Sequence, residues 1–244
     1  MITVNNETVD RISLINYLIN KYNFSTYLEI GVQKGKSFFP IKCKKKIGVD
    51  PYLKIDNKEK RKWWFKNPYN LFNNYFNLRS DDFFFHEKKF IKKISPFDIV
   101  LIDGLHTFRA TLEDCLNSLA YLDSSGVIVV HDCYPPHKAS ALVANDAEDA
   151  EKKKDSIEGW TGEWCGDTWK AIVYLRRLKN IKLEVFVLNT DYGLGIIRLK
   201  QNILKPLKID EDLFSEVNKL NYSDLESNSR TYLDLRDWRD FDKI

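Results

Sequence analysis

The sequence predicts an α/β protein built on a doubly wound, mostly parallel sheet with helices on both faces, and three observations carry that expectation. Apolar runs such as "DIVLI" (98–102) and "VIVV" (127–130) lack the in–out alternation of a half-exposed strand, so each must be covered on both sides. Strand-like and helix-like stretches alternate along most of the chain. Five strand-like stretches end in an acid or a histidine, at the side of an open parallel sheet where ligands bind.

Val9, Ile12, Ile15, Leu18, Ile19 and Tyr22 recur at three- and four-residue spacing, which predicts an amphipathic helix over 8–22. A buried strand follows at 26–32, and "QKGKS" then reads as a turn opening a short helix that ends near Pro40. The second strand covers 45–50, and a long polar and aromatic connection runs from Pro51 to about Asn74. A weaker third strand is expected at 75–85, the fourth at 97–103, a helix at 109–122 and the fifth strand at 126–132.

Residues 134–166 keep no period and carry Pro135, Pro136, Trp160 and Trp164, so this insertion reads as a lid over one end of the sheet. A helix over 166–178, capped by Asp167 or Thr168, precedes two last strands, "LEVFVLNT" and "YGLGIIRL", which turn about Asp191. The sum is a Rossmann-like seven-stranded sheet whose last strand is antiparallel. It forms one domain over 1–200, with 201–244 as a helical tail packed on it.

Overall composition narrows the function classes. The net charge of +3, from 38 basic and 35 acidic residues, is too even to imply a nucleic-acid binder. No apolar run approaches a membrane span and the first residues lack a secretion leader, so the expectation is a soluble, cytoplasmic protein with neither nucleic acid nor membrane as partner. Cys43, Cys115, Cys133 and Cys165 lack zinc-type spacing and fit reduced thiols. Two cationic clusters, "KCKKK" (42–46) and "KEKRKWWFK" (58–66), read first as solvated faces, with an anionic group on an acceptor as the second reading.

The strand ends supply the chemistry. Gly31 and Gly35 permit a tight turn and close approach to a ligand, and Asp50, about 19 residues past Gly31, is placed to accept ribose hydroxyls. Three residues separate the glycines and no third follows, which departs from G-x-G-x-x-G and disfavours a dinucleotide. Glu29 suits a ligand with a cationic group. The fourth and fifth strands should be neighbours, so Asp103 can converge with His131 and Asp132 on one divalent ion, while His106 overhangs the same point. His137, after two prolines, reads as an ordinary loop residue, and Trp160, Trp164 and Trp169 are candidate walls for a sugar ring.

Together "YLEIGVQKGKS", "IGVDPY", "SDDFF", "VLIDGLHTF", "GVIVVHDCYPP" and "GDTWKAI" resemble class I S-adenosylmethionine-dependent methyltransferases, specifically the metal-dependent sugar and macrolide-sugar O-methyltransferases. The resemblance spans roughly residues 24–200. It implies a cofactor cradle in which Glu29, Gly31, Gly35 and Ser37 line the methionine end, Asp50 meets the ribose, and Ser80 with Asp81 or Asp82 meets the adenine. It places Asp103 and Asp132 at metal-ligand positions and His106 at the catalytic histidine, with Asp103 serving both metal and chemistry. The ion expected is magnesium or manganese, with iron less favoured; His131 stands where some relatives have an acid, and its imidazole, if it faces the ion, favours manganese or iron over magnesium.

The function expected is O-methylation of a carbohydrate, nucleotide-sugar or similar small molecule, with homo-oligomerisation suggested by apolar residues in "YLDLRDWRDF". The rival readings are an NAD(P)-dependent oxidoreductase and a non-catalytic adenosylmethionine-binding protein.

Overall fold

The computed structural model describes residues 9–201, 203 and 207–244; Thr8, the expected start of the first helix, lies outside them. Helix α1 (Arg11–Tyr22) is capped by Asp10, whose carboxylate accepts from Ser13 N at 2.7 Å, and buries Leu14, Ile15, Leu18 and Ile19. It leads into β1 (Thr26–Ile30), and β2 (Lys45–Val49) follows as expected.

The turn between β1 and β2 opens no helix. Gln33 and Gly35 take left-handed φ of 44° and 76°, which leaves only 36–39 before Pro40, too few residues to repay helix nucleation. The long connection instead holds a helix, α2 (Asn57–Lys66), capped by Asp56. None of its ten residues is buried, so no apolar stripe marked it in the sequence.

The third strand is also shorter than expected: β3 covers only Asn74–Phe76. Ser80–His86 forms helix α3, with Asp81 and Asp82 in its first turn, where acids complement the positive helix end. The run of phenylalanines looks strand-like, but Phe83 and Phe84 are buried from a helix. After α4 (Lys88–Ile94) come β4 (Phe97–Ile102), α5 (Phe108–Leu119) and β5 (Leu122–Val130). The insertion contains α6 (Ala147–Lys152); α7 (Trp169–Arg177), β6 (Leu183–Leu188) and β7 (Leu194–Leu199) close the expected set.

The strand order is β3-β2-β1-β4-β5-β7-β6-β8, where β8 (Leu235–Arg236) is a two-residue addition to the seven expected strands. Only β7 runs antiparallel to its neighbours. Alternate residues feed two cores: Leu28, Val100, Ile128 and Val187 lie on one face, and Tyr27, Leu101, Val129 and Phe186 on the other. This double burial is why the strands read as unbroken apolar runs.

The tail contributes α8 (Glu211–Asn218) and α9 (Tyr222–Leu233), whose Val217, Leu225 and Leu233 enter the first core. Beyond β8, Trp238, Phe241 and Ile244 pack into the second. The apolar positions of "YLDLRDWRDF" are therefore used on the chain's own sheet. Among the described residues, no helix is long and apolar enough to cross a membrane.

Candidate active site at the strand tips

The register of the central strands builds the site. Ile102 pairs with Val130 and His131 N donates to Ile102 O at 3.0 Å, so Asp103 and His131 are the next residues outward on adjacent strands. Asp132 then takes a left-handed φ of 61°, which turns its carboxylate back over the β4 tip. His131 Nδ1 lies 3.2 Å from Asp103 Oδ1 and 3.0 Å from Asp132 Oδ2, yet this buried nitrogen has no hydrogen-bond partner. Among the described residues, Asp103, His131 and Asp132 are the one group of ionisable side chains whose ligand atoms lie within 4.8 Å of one another in a metal-holding arrangement.

His106 meets the same point from the loop after β4. Its Nε2 is 3.5 Å from Asp103 Oδ1 and 3.3 Å from Asp132 Oδ2, and its Nδ1 is 2.8 Å from the carbonyl oxygen of Trp164. A carbonyl only accepts, so Nδ1 carries the proton and the basic lone pair sits on Nε2. Burial opposes a charge on this ring, but the hydrogen bond to Asp103 and the charge of Asp132 outweigh it and raise its pKa. Burial likewise pushes Asp103 upward, and the adjacent imidazoles of His106 and His131 reverse this, holding its carboxyl well below the usual range.

The insertion clamps His106. Besides the Trp164 carbonyl, the Trp164 ring lies 5.4 Å from the imidazole, and Asp167 N donates to His106 O at 3.3 Å. Gly166 has φ +60°, and a Cβ there would sit 1.9 Å from His106 O, so only glycine fits. Trp164 is half-buried beside the site and Trp160 is half-buried elsewhere along the insertion, whereas Trp169 is buried in the first core and cannot line a pocket. His137 accepts from Ser140 N within its own loop.

Two residues that sequence reasoning missed complete the cluster. Arg11, from the first turn of α1, places Nε 3.4 Å from Asp103 Oδ2 and donates from Nη1 to Asp191 Oδ2 at 2.9 Å. Asp191, in the β6–β7 turn, lies 3.3 Å from His131 Nε2, and Arg11 Nη1 lies 2.9 Å from the same nitrogen. A guanidinium only donates, so pairing with Arg11 requires a bare Nε2 and pairing with Asp191 a protonated one. Although burial raises Asp191, the contact with His131 lowers its pKa to about 2. The signal for Asp191 was its turn beyond the sixth strand; Arg11 gave none, because its reach depends on how α1 docks.

The tips of β1 and β2 are differently made. Glu29 is fully buried: its carboxylate accepts from the Tyr27 hydroxyl and, at 2.6 Å, from Ser37 Oγ. Burial raises it to about 7. Gly31, at φ +95°, passes so close to β4 that a Cβ would lie 1.9 Å from Asp103 O, while one on Gly35 would strike the Phe39 ring. Asp50 accepts from Gln33 N at 2.8 Å and Tyr52 N at 2.6 Å. Asp81 pairs with Arg79, Asp82 lies 3.7 Å from His86 Nε2, and Ser80 bonds to the buried Asp114, which burial raises to about 7.

Residues 28–133 match the protein family described as a methyltransferase domain, a stretch that runs from β1 to just past Asp132. Among solved structures, the chain is similar to the S-adenosylhomocysteine-bound methyltransferase PaMTH1 of Podospora anserina, at 16% identity and a TM-score of 0.51, with 78% of each chain covered. It is similar as well to the O-methyltransferase TomG of Streptomyces achromogenes, solved with S-adenosylmethionine. There the identity is 11% and the TM-score 0.52, over 81% of this chain and 83% of that one. No curated protein matches the sequence. The likeness to these structures is one of fold, and the matched stretch carries the ends of β1, β2, β4 and β5.

Proposed function

We propose that the chain methylates a hydroxyl of a carbohydrate, nucleotide-sugar or similar polar small molecule, drawing the methyl group from S-adenosylmethionine. In this reading a divalent metal is held by Asp103, His131 and Asp132, and His106 is the general base. One observation carries it: His131 Nδ1 is buried without a hydrogen-bond partner between two carboxylates that themselves face His106. A buried ring nitrogen left unpaired is costly unless something else claims its lone pair, and two carboxylates with one imidazole suit magnesium or manganese. When bound, such an ion lowers the pKa of an acceptor hydroxyl and orients it.

The chain's own groups do the rest. With its proton on Nδ1 held by Trp164 O, His106 offers Nε2 to the acceptor. The acceptor oxygen passes its proton to Nε2 and forms the bond to the methyl carbon as the carbon–sulfur bond breaks. Asp103 and Asp132 then stabilise the imidazolium. Asp50, oriented by two backbone amides, keeps lone pairs for the ribose hydroxyls, and Ser80 with Asp81 or Asp82 stands at the adenine end. Gly31 and Gly35 shape the turn at the methionine end, where Glu29 and Ser37 act by bracing it. The Trp164 ring beside His106 supports a sugar acceptor, since flat aromatic faces pack on sugar rings.

The test pairs turnover with binding. His106→Ala should lose roughly 10²- to 10⁴-fold in the release of adenosylhomocysteine across a panel of sugars and nucleotide-sugars, with unchanged adenosylhomocysteine affinity by calorimetry. Chelation should abolish turnover and spare that affinity. Full turnover in chelator would remove the metal from the mechanism, and equal loss of rate and affinity in His106→Ala would make the histidine structural.

A further inference from the structure

Beyond Tyr52, the β2–β3 connection plays no part in the chemistry above. Between Tyr52 and Phe72 it carries six cations against two acids, a local excess of four in a chain whose total is +3. The same stretch exposes Phe65 at 90%, Phe72 at 84% and Tyr52 at 74%, with Leu71, Tyr69 and Trp64 half or nearly half exposed. Along α2, Lys58, Arg61, Lys62 and Phe65 fall at three- and four-residue spacing, so cations and an unburied aromatic share the outward face. Trp63 points the other way and stacks on Phe39 at 6.0 Å, fixing which face is outward. A helix that keeps only one aromatic inward and leaves Phe65 in water is not completing its own core.

We infer that this segment docks on an anionic lipid surface, with Phe65, Phe72 and Leu71 entering the headgroup boundary and the cations contacting acidic headgroups. The inference is independent of the methyl-transfer reading. A second copy of the chain fits poorly, because an isologous interface would press this cationic face against itself and interface centres are poor in lysine. An extended polyanion fits less well than a membrane. Its phosphates would meet the cations but leave Leu71 and the two exposed phenylalanines largely in water, whereas a membrane takes both.

The experiment is co-sedimentation of the full chain with vesicles of phosphatidylcholine alone and with vesicles of phosphatidylcholine and phosphatidylglycerol in equal parts. Binding is expected only to the anionic vesicles and should fade as salt screens it. Phe65→Ser with Phe72→Ser, and separately Arg61→Glu with Lys62→Glu, should each weaken binding about tenfold or more while leaving the melting temperature and adenosylhomocysteine affinity unchanged. Equal binding to both vesicle types, no binding to either, or insensitivity to both double variants overturns the inference. So does saturable binding of a single-stranded oligonucleotide that the same variants abolish while vesicles fail to compete. A concentration-dependent dimer in sedimentation velocity, lost in the Phe65/Phe72 variant, would assign the patch to self-association instead.

Discussion

The tips of β1 and β2 and the tips of β4 and β5 carry the same signature, acids at the ends of buried parallel strands, but the structure spends them differently. On the first pair every carboxylate oxygen accepts from a fixed protein donor, Glu29 from Tyr27 and Ser37 and Asp50 from two backbone amides, which orients Asp50 while leaving it lone pairs. Beside them, Lys46 is buried and donates to Phe38 O at 2.5 Å, Ile41 O at 3.0 Å and Asn70 Oδ1 at 2.7 Å, pinning the turn after β1. On the second pair, Asp103, His131 and Asp132 face one another and His106 Nε2, and one nitrogen is unpaired. A group whose partners are fixed braces the fold; a group whose partners are other titratable groups is available for chemistry.

The contrast breaks first at Lys46. Lys46→Met would leave three acceptors without their donor and should cost about 3 kcal/mol in thermal or denaturant unfolding. Turnover per folded molecule should stay near that of the parent; a large rate loss without loss of stability would show that the two halves are not divided in this way. Asp191→Asn probes the other side. Its carboxylate orients His131, so manganese affinity measured by electron paramagnetic resonance should fall about ten- to a hundredfold, with adenosylhomocysteine affinity intact.

The smallest expected effect is a pH dependence of stability from the braced half. Burial raises Glu29 from 4.5 to about 7, so the folded chain holds a proton the unfolded chain has released, and stability declines as pH rises through that window. Asp114, raised to about 7, adds to the decline. Burial lowers Lys46 from 10.5 to about 7, so between those values the unfolded chain binds the extra proton and stability recovers with rising pH. The melting temperature should therefore pass through a shallow minimum near neutrality, and Lys46→Met should remove the alkaline recovery.

What could be read from the sequence follows the same division. Asp103, His131 and Asp132 were legible because adjacent parallel strands with apolar runs on both faces must bring their ends level, and the register from Ile99–Val127 to Ile102–Val130 does so. Helix α2 was hidden because it buries nothing, and α3 because phenylalanine runs favour strands until acids at a helix start override them. Arg11 and Asp191 could not be placed, since 180 residues separate them and only the docking of α1 against the β6–β7 turn brings them together. That Glu29 would be consumed by Tyr27, two residues away on the same strand face, was in principle visible from the alternation of side chains.

The glycine wedged beneath the carbonyl of His106 ties the loop after β4 to the insertion. Because Gly166, Trp164 and Asp167 all hold His106, any displacement of that end of the insertion would drag the imidazole away from Asp103 and Asp132.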